Sequence, residues 1–593
     1  MNELFPGLDT DALLAAGALS PLDVELPRAL SRITGEVDPL VLLGAAAAAS
    51  SVRRGHVCAE LDRLGGAPIL DGEGAPVGRA TWPARGPWEA ALRRSPIVGD
   101  GSGEPRPLVL DAEGRLYTHR YWEHERALAT ALSQRMSAGP PEPIDEAVLQ
   151  GSLRRLFAGM GEGAEDQRAA VEKAVRRRFT VISGGPGTGK TTTVIRLLVA
   201  LIEQALARGA RPPRLLLVAP TGKAAARLVE SIRGAKARLD CSPEVKALIP
   251  EEARTLHRAL GTTRGSTTLF RHDADDPLPA ELVLVDESSM VDLALLRRLV
   301  DAVPPEARLL LLGDPDQLVS VEAGAILGDI CAAGGEAVAA LRVSWRFDAT
   351  RGIGILARAI RDGDAEGALA VLQDPQHPDV SLAPPLSGGA LGPGLTEAVL
   401  RGWRPVEDAV DPADKLRALE HFRVLAAHRR GALGVIALNR QVERALQAEG
   451  RLRPVGPWYP GRPVMVTEND YGVELFNGDV GLLTAQRGQG LRACFFGADS
   501  QVRALAPSRL PPVETVFAMS VHKSQGSEFD EVALVLPDRP SPLLSRELIY
   551  TAVTRARLRV VIHARPEIIA AGVRHRIQRA SGLVAALRRG TKG

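Results

Sequence analysis

Phe179-Thr180-Val181-Ile182-Ser183 runs directly into Gly184-Gly185-Pro186-Gly187-Thr188-Gly189-Lys190-Thr191-Thr192, and this stretch decides the fold of the 593-residue chain. A short apolar run, a glycine-rich turn and a helical pattern continuing through Ala207 predict strand, loop and helix in that order. Residues 184–191 fit G-x-x-x-x-G-K-[ST] in the context that motif requires. Glycines let backbone amides turn inward around phosphate oxygens, and the helix start adds partial positive charge. Lys190 reaches the β- and γ-phosphates of such a ligand, and the Thr191 hydroxyl suits Mg²⁺. The other reading, a glycine-rich turn without a ligand, does not explain the full match.

Working outward, Leu282-Val283-Leu284-Val285 ends in Asp286-Glu287. Carboxylates at the C-terminal end of a buried strand sit where ligands bind in open α/β sheets. Asp286 is placed to hold Mg²⁺ and Glu287 to act as general base on the attacking water. Read alone, the pair also suits a helix N-cap. Leu309–Leu312 leads into Gly313-Asp314-Pro315-Asp316-Gln317, which makes Gln317 a candidate sensor of the γ-phosphate or an exposed turn residue. With Leu215–Ala219, these runs are typical of strands buried on both faces of a parallel sheet.

Further along, Phe422–Ala426, Glu531–Leu536 and Leu558–His563 predict a second α/β region. Residues 462–515 are rich in Val, Gly and turn pairs such as Asn477-Gly478, and predict a small β insert. Asp374–Asp411 reads as surface connection with a short helix near 396–401. Ala138–Pro143 reads as a linker. The region before it carries helical patterns over 11–52 and a strand near 107–111. The alanine-rich run Leu40–Val52 is too short to span a membrane and reads as a buried helix.

Composition narrows the function classes. Hydrophobic residues make up 45% and charged residues 24%, the balance of a globular chain rather than a disordered, collagen-like or coiled-coil one. Cys58, Cys241, Cys331 and Cys494 lie far apart with no CxxC pair, which argues against a disulfide framework, a zinc ribbon or an iron–sulfur cluster. Lys and Arg total 73 against 71 Asp and Glu, so nucleic-acid contact must come from local charge placement. Only eight of the basic residues are lysines, and Lys190, Lys223 and Lys523 fall inside candidate motifs. A tight phosphate cradle needs a compact ammonium that a guanidinium does not replace. No targeting or membrane segment stands out, and the cytoplasm is the expected location. Glu244-Val245-Lys246, preceded by Asp240, reads as a helix surface rather than a nuclease site.

These elements, taken with further segments, resemble superfamily 1 helicases over most of the chain. The additional segments are Ala219–Ala225, Thr255-Leu256-His257-Arg258, Ser344-Trp345-Arg346-Phe347, Val521–Phe529 and Tyr550–Arg557. Arg462-Pro463-Val464-Met465 with Asn477-Gly478-Asp479, His522–Asp530, Gly55–Cys58, Pro107–Asp111 and Arg120-Tyr121-Trp122 resemble the RecD branch. That family supplies the α subunit of the RecBCD exodeoxyribonuclease V complex.

The resemblance implies two RecA-like P-loop lobes, an SH3-like β insert in the second and a mainly helical N-terminal domain. The division would be 1–143 for the partner-docking domain, 144–340 for the first lobe, 341–460 with 514–593 for the second, and 461–513 for the insert. It implies ATP and Mg²⁺ as cofactors, with Thr191 and Asp286 on the metal. Gln167 would read adenine. Gly184, Gly185, Pro186, Gly187, Thr188, Gly189, Lys190, Thr191, Thr192 and Glu528 would line the nucleotide. Lys190, Asp286, Glu287, Gln317, Arg346 and Arg555 would carry hydrolysis. Thr221, Lys223, Thr255, His257, Ser520 and His522 would touch the DNA backbone, and Trp345 or Phe347 offers base stacking. His257 and His522 also suit a structural role.

The implied partners are single-stranded and duplex-end DNA and RecB-like and RecC-like subunits, with no membrane. The implied activity is 5′→3′ translocation with ATP hydrolysis, nuclease chemistry residing in another subunit. A stand-alone helicase of the same polarity and an ATP-binding regulatory subunit that does not translocate remain the competing readings.

Overall fold

The computed structural model describes residues 4–590 apart from 263–268, 347–350, 388, 471, 487, 489 and 498–500. Phe347 is therefore outside the described residues.

Six parallel strands form the first large sheet, in the order Val338–Leu341, Phe179–Gly184, Arg308–Gly313, Leu282–Val285, Leu215–Ala219, Arg254–Thr255. All four residues of Leu282–Val285 are buried. Such a strand has no wet face, so its sequence is a continuous apolar run with no alternation. The glycine-rich turn leaves the C-terminal end of Phe179–Gly184, and the helix Lys190–Ala207 begins there.

A second parallel sheet has the order Val380–Ala383, Ala556–His563, Phe529–Val535, Phe422–Ala426, Ala518–Ser520. Between its strands stands a five-stranded antiparallel sheet, ordered Val502–Leu505, Gly490–Phe496, Val480–Gln486, Pro463–Val466, Val513–Thr515.

The N-terminal region is built on helices Pro21–Thr34 and Pro39–Arg53. The latter is the alanine-rich run, buried as expected, with Asp38 accepting at its N-cap. A small four-stranded sheet of Ala59–Glu60, Arg115–Thr118, Leu108–Leu110 and Val98–Gly99 accompanies them. All four cysteines are free thiols. Among the described residues no helix is long and apolar enough to cross a membrane. Glu244 lies exposed on the short helix Pro243–Leu248, as read.

Two expectations need correction. Residues 374–411 are not a plain surface connection. They supply the edge strand Val380–Ala383 and the helix Pro393–Asp408, which buries Leu395, Val399, Trp403 and Val406. Pro393 sits at the first helical turn, where a missing N–H costs nothing, and Trp403 packs on Phe517 at 5.1 Å between ring centroids.

The chain end does not stay with the second sheet either. Helix Leu583–Gly590 packs against His119–Ser137 and Ile326–Ala333, burying Leu583 and Leu587 in the core beside the first sheet. Two leucines four residues apart make one helical stripe, and that stripe fits whichever apolar surface the chain can reach.

Candidate nucleotide and nucleic-acid site

Gly187 and Gly189 adopt φ of +77° and +82°, which only glycine accepts without strain. A Cβ on Gly187 would meet Arg346 and one on Gly189 would meet Gln167, so the turn is also closed by its neighbours. Lys190 curls back over the loop, its Nζ donating to Gly184 O at 2.6 Å and Gly185 O at 3.1 Å. Thr188 Oγ1 donates to Gly185 O at 2.9 Å. Thr191 and Thr192 start the helix at the loop's exit.

Beside the loop, Asp286 and Glu287 follow the strand Leu282–Val285. Burial raises the Asp286 carboxyl, Glu287 raises it further, and the Lys190 ammonium opposes both. Glu287 itself lies in the left-handed region at φ +51°, an uncommon conformation for a residue with a Cβ. Strain of this kind concentrates at functional sites.

Gln317 is buried and donates to Asp314 Oδ2 at 3.1 Å. Its carbonyl oxygen accepts from Arg555 Nη2 at 3.1 Å. Arg555 is 3% exposed and donates on its other side to Thr551 O and Ser527 O, both at 3.2 Å. Arg555 thus reaches from the second sheet's region into the first's. Tyr550 makes the same crossing, its hydroxyl donating to Asp314 Oδ2 at 3.1 Å. Burial raises the Asp314 carboxyl, with Lys190 opposing. Thr551 Oγ1 accepts from Leu318 N at 2.9 Å and Gln525 Nε2 donates to Leu318 O at 2.7 Å.

The segment joining the two sheets closes the remaining side. Trp345 N donates to Gly187 O at 2.8 Å, and Ser344 Oγ donates to Pro186 O at 3.3 Å. Arg346 pairs with Glu528 at 2.7 Å. Arg227 at 3.5 Å and Arg557 at 3.3 Å face the same carboxylate. Against the upward push of burial, Arg227, Arg346 and Arg555 hold Glu528 down to about 2. Every residue read as lining the nucleotide or carrying hydrolysis therefore gathers around one loop. Trp345, read as a base stacker for DNA, lies beside that loop and is half exposed, its ring 3.3 Å from a Cβ built on Gly163 and 3.6 Å from one on Gly189.

The residues read as DNA contacts are more dispersed. Thr221 caps the helix Gly222–Arg238, accepting from Ala224 N, and Thr255 caps Leu256–Leu260, accepting from Arg258 N. Ser520 Oγ accepts from Lys523 N at 3.3 Å. His257 leans on Phe270 at 5.8 Å between centroids. Burial lowers the pKa of His257, and that of His522 likewise, with Arg579 adding to the second. Burial, then Arg227 and Arg423, push Lys223 down to about 7.

The antiparallel insert reaches this region. Lys523 Nζ donates to Asn477 Oδ1 at 2.7 Å, Phe476 lies against Gly222, and the Arg258 guanidinium sits 5.8 Å from its ring centre. Asp314, Tyr550, Thr551 and Gln525 were not picked out by sequence as site residues, although all four lie inside quoted motifs. The contacts that single them out cross between elements more than 200 residues apart.

Comparison with known proteins agrees with this layout. Residues 15–117 match the family model for the RecBCD enzyme subunit RecD, N-terminal domain. Residues 167–323 match an AAA domain and residues 515–563 a UvrD-like helicase C-terminal domain. The RecBCD enzyme subunit RecD of Mycolicibacterium smegmatis is 43% identical over 580 residues, covering 97% of this chain and 98% of that protein. The chain belongs to the RecD family.

Within the RecD family, the Haemophilus influenzae RecBCD enzyme subunit RecD is 34% identical over 79% of this chain and 80% of its own. The ATP-dependent RecD2 DNA helicase of Deinococcus radiodurans is 33% identical over 75% of this chain, but only 54% of that protein is covered. As a member of the RecD family, the chain is an ATP-dependent DNA helicase.

Proposed function

We propose that this chain is the RecD-like subunit of a RecBCD-type helicase–nuclease, an ATP-driven 5′→3′ translocase on single-stranded DNA that acts at duplex ends in the cytoplasm. RecB-like and RecC-like subunits are the proposed partners, with nuclease chemistry in another subunit. The observation that carries the motor reading is that Arg346 lies against Gly187 of the phosphate loop while Arg555 crosses from the second sheet's region to Gln317 beside it, both arginines facing Glu528. We divide the chain as the motifs suggest, with 1–143 for docking, 144–340 and 341–460 plus 514–593 for the lobes, and 461–513 for an SH3-like insert. Five short antiparallel strands support the last assignment. Leu583–Gly590 is reassigned to the surface it packs on, the first lobe and the docking domain.

The cleft suits ATP. The glycine-rich turn, the Lys190 ammonium and two glycines that cannot carry a Cβ suit a cradle for the β- and γ-phosphates. Thr191 hydroxyl and Asp286 carboxylate form the hard oxygen donor set that Mg²⁺ takes alongside phosphate oxygens. Among the described residues no cluster of three or more His, Cys, Asp or Glu could cage a metal alone, which fits an ion shared with the nucleotide. When bound, Mg²⁺ neutralises charge developing on the phosphates.

Glu287 takes the proton of the attacking water. Gln317, held between Asp314 and Arg555, reports the γ-phosphate to both lobes. Arg346 leaves Glu528 for the transferred phosphoryl and Arg555 joins it, a contribution of about 10³–10⁵ in rate for an arginine finger. Loss of the γ-phosphate removes their partner and lets the lobes part. If the lobes alternate their hold on a DNA strand, each cycle becomes a step.

Thr221, Lys223, Thr255, His257, Ser520 and His522 are proposed along the strand's backbone. Such contacts are independent of sequence. The test is DNA-stimulated ATPase and strand displacement on substrates with only a 5′ or only a 3′ tail, with and without copurifying large subunits. Displacement confined to the 5′ tail supports the reading. Equal ATPase in wild type and Lys190→Gln would leave only a regulatory subunit, and strong unwinding by a lone monomer would favour a stand-alone helicase.

A further inference from the structure

Gln167 is 2% exposed and touches two groups of opposite character. Its Nε2 donates to Thr188 O, a backbone carbonyl of the phosphate loop, at 3.0 Å. Its Oε1 accepts from Arg196 Nη1 at 3.0 Å. A carbonyl can only accept and a guanidinium can only donate. Between these neighbours the carboxamide has one orientation, and turning it by 180° would set N–H against N–H and oxygen against oxygen.

Arg196 is itself immobilised. It lies on the helix that leaves the phosphate loop and is 9% exposed. It donates from Nε to Leu156 O at 3.0 Å, points Nη2 at Met160 Sδ at 2.9 Å, and stacks over Phe157 at 4.7 Å from the ring centre. No carboxylate is within ion-pairing distance in these contacts. A buried, fully engaged guanidinium with an amide oxygen as a partner is a costly arrangement unless that oxygen must stay where it is.

We infer that Arg196 is a positioning residue that fixes the amide orientation of Gln167 and, through it, selects adenine over the 6-oxo purines. This rests on the proposed ATP site. With Oε1 pinned, its second lone pair and the second N–H of Nε2 are what the amide has left for a base. That pair matches the 6-amino donor and N7 acceptor of adenine. Guanine and hypoxanthine present an oxygen at position 6, which meets Oε1 with two acceptors and no proton. A site built on a hydrogen bond rejects the ligand that lacks its partner, because a polar group is left unpaired. Without Arg196 only Thr188 O orients the amide, so its remaining lone pair and N–H are no longer held together on the adenine edge. ATP then loses binding. A 6-oxo purine loses little, because its O6 and N7 both accept and so match the amide at one atom at most in either orientation.

The experiment measures DNA-stimulated hydrolysis of ATP and ITP by the full chain as wild type, Arg196→Met, Arg196→Lys, Gln167→Ala and the Arg196→Met/Gln167→Ala double variant, with thermal melting of each. Arg196→Met is expected to lower the ATP-over-ITP ratio of kcat/KM about tenfold, chiefly through a higher KM for ATP, with kcat within about twofold. Arg196→Lys keeps one donor near Oε1 and is expected to retain most of the preference. The double variant is expected to match Gln167→Ala, because Arg196 has nothing left to act through.

A Gln167→Ala ratio equal to wild type overturns the reading of Gln167 as the base contact. A Gln167→Ala ratio that collapses while Arg196→Met keeps the wild-type ratio overturns the role of Arg196 alone. If Arg196→Met does not fold, Arg196→Lys decides. Loss of preference in a folded Lys variant with unchanged kcat overturns the inference, and retention supports it.

Discussion

At the scale of single residues, the site depends on where a charge is desolvated and what answers it. Lys190 has its own loop carbonyls and Asp286 as company. Lys190→Ala is expected to lower ATPase by at least about 10³-fold while leaving the far-ultraviolet dichroism unchanged, since the side chain contributes to phosphate binding and not to packing. Arg555→Ala is expected to cost about 10³–10⁵ in kcat with nucleotide affinity less affected, checked by single-turnover hydrolysis.

Lys223 adds a pH dependence. In the free protein burial and two arginines hold it near 7, below the ordinary range for lysine. With Lys223 on the DNA backbone as proposed, a phosphate favours the charged form, so binding is expected to raise that pKa and take up a proton. Affinity is then complete below pH 7 and falls as pH rises through it. Between pH 6 and pH 8 one such group weakens binding about tenfold. Fluorescence anisotropy on a short oligonucleotide should show this slope in wild type and not in Lys223→Met. Calorimetry in two buffers should show the proton taken up.

At the scale of elements, helix Pro393–Asp408 tests how the second lobe is assembled. Its apolar residues were legible one by one, but the proline and glycine content of 374–411 masked their period. Proline at a helix start punctuates without breaking, so the same residue type means different things at Pro393 and in a loop. Trp403 is 8% exposed and closes the core formed with Phe517 and Val442. Trp403→Ala is expected to destabilise the chain by about 3–5 kcal/mol, the usual cost of emptying an aromatic site, read by urea denaturation. A loss below about 1 kcal/mol would mean that this helix is only a connection.

At the scale of the whole molecule, the C-terminal segment ties three regions together. His575 O accepts from Arg546 N and Ile577 N donates to Glu547, both beside the second sheet. A few residues later Ala580 bonds both His56 Nδ1 and Val57 N. Arg579 donates to Ser320 O at 2.7 Å, Gly324 O at 3.3 Å and Glu322 O. That backbone follows Gln317 by a few residues, so the strap touches the segment leaving the phosphate sensor. Arg579→Ala is expected to raise amide exchange about tenfold in residues 53–58 and 318–324 with little change in the second-sheet strands, measured by hydrogen–deuterium exchange.

The sequence by itself marked the central strands of both parallel sheets and the residue types at their ends, but not the edge strands Val338–Leu341, Arg254–Thr255, Val380–Ala383 and Ala518–Ser520. Leu282–Val285, Phe422–Ala426 and the glycine-rich turn each carry their meaning within a dozen residues. A strand buried on both faces must be apolar throughout, and a phosphate cradle must be glycine. Arg346 and Arg555 were readable only as members of motifs, because a lone arginine looks the same in a cleft and on a surface.

Tertiary structure alone decided which partners those residues have. It put Arg555 on Gln317, Tyr550 on Asp314, Arg196 behind Gln167 and the chain end on the first lobe. Each of these contacts joins positions that the local pattern leaves independent. Their energies come from desolvation and hydrogen-bond complementarity, which exist only once the intervening chain has folded and excluded water.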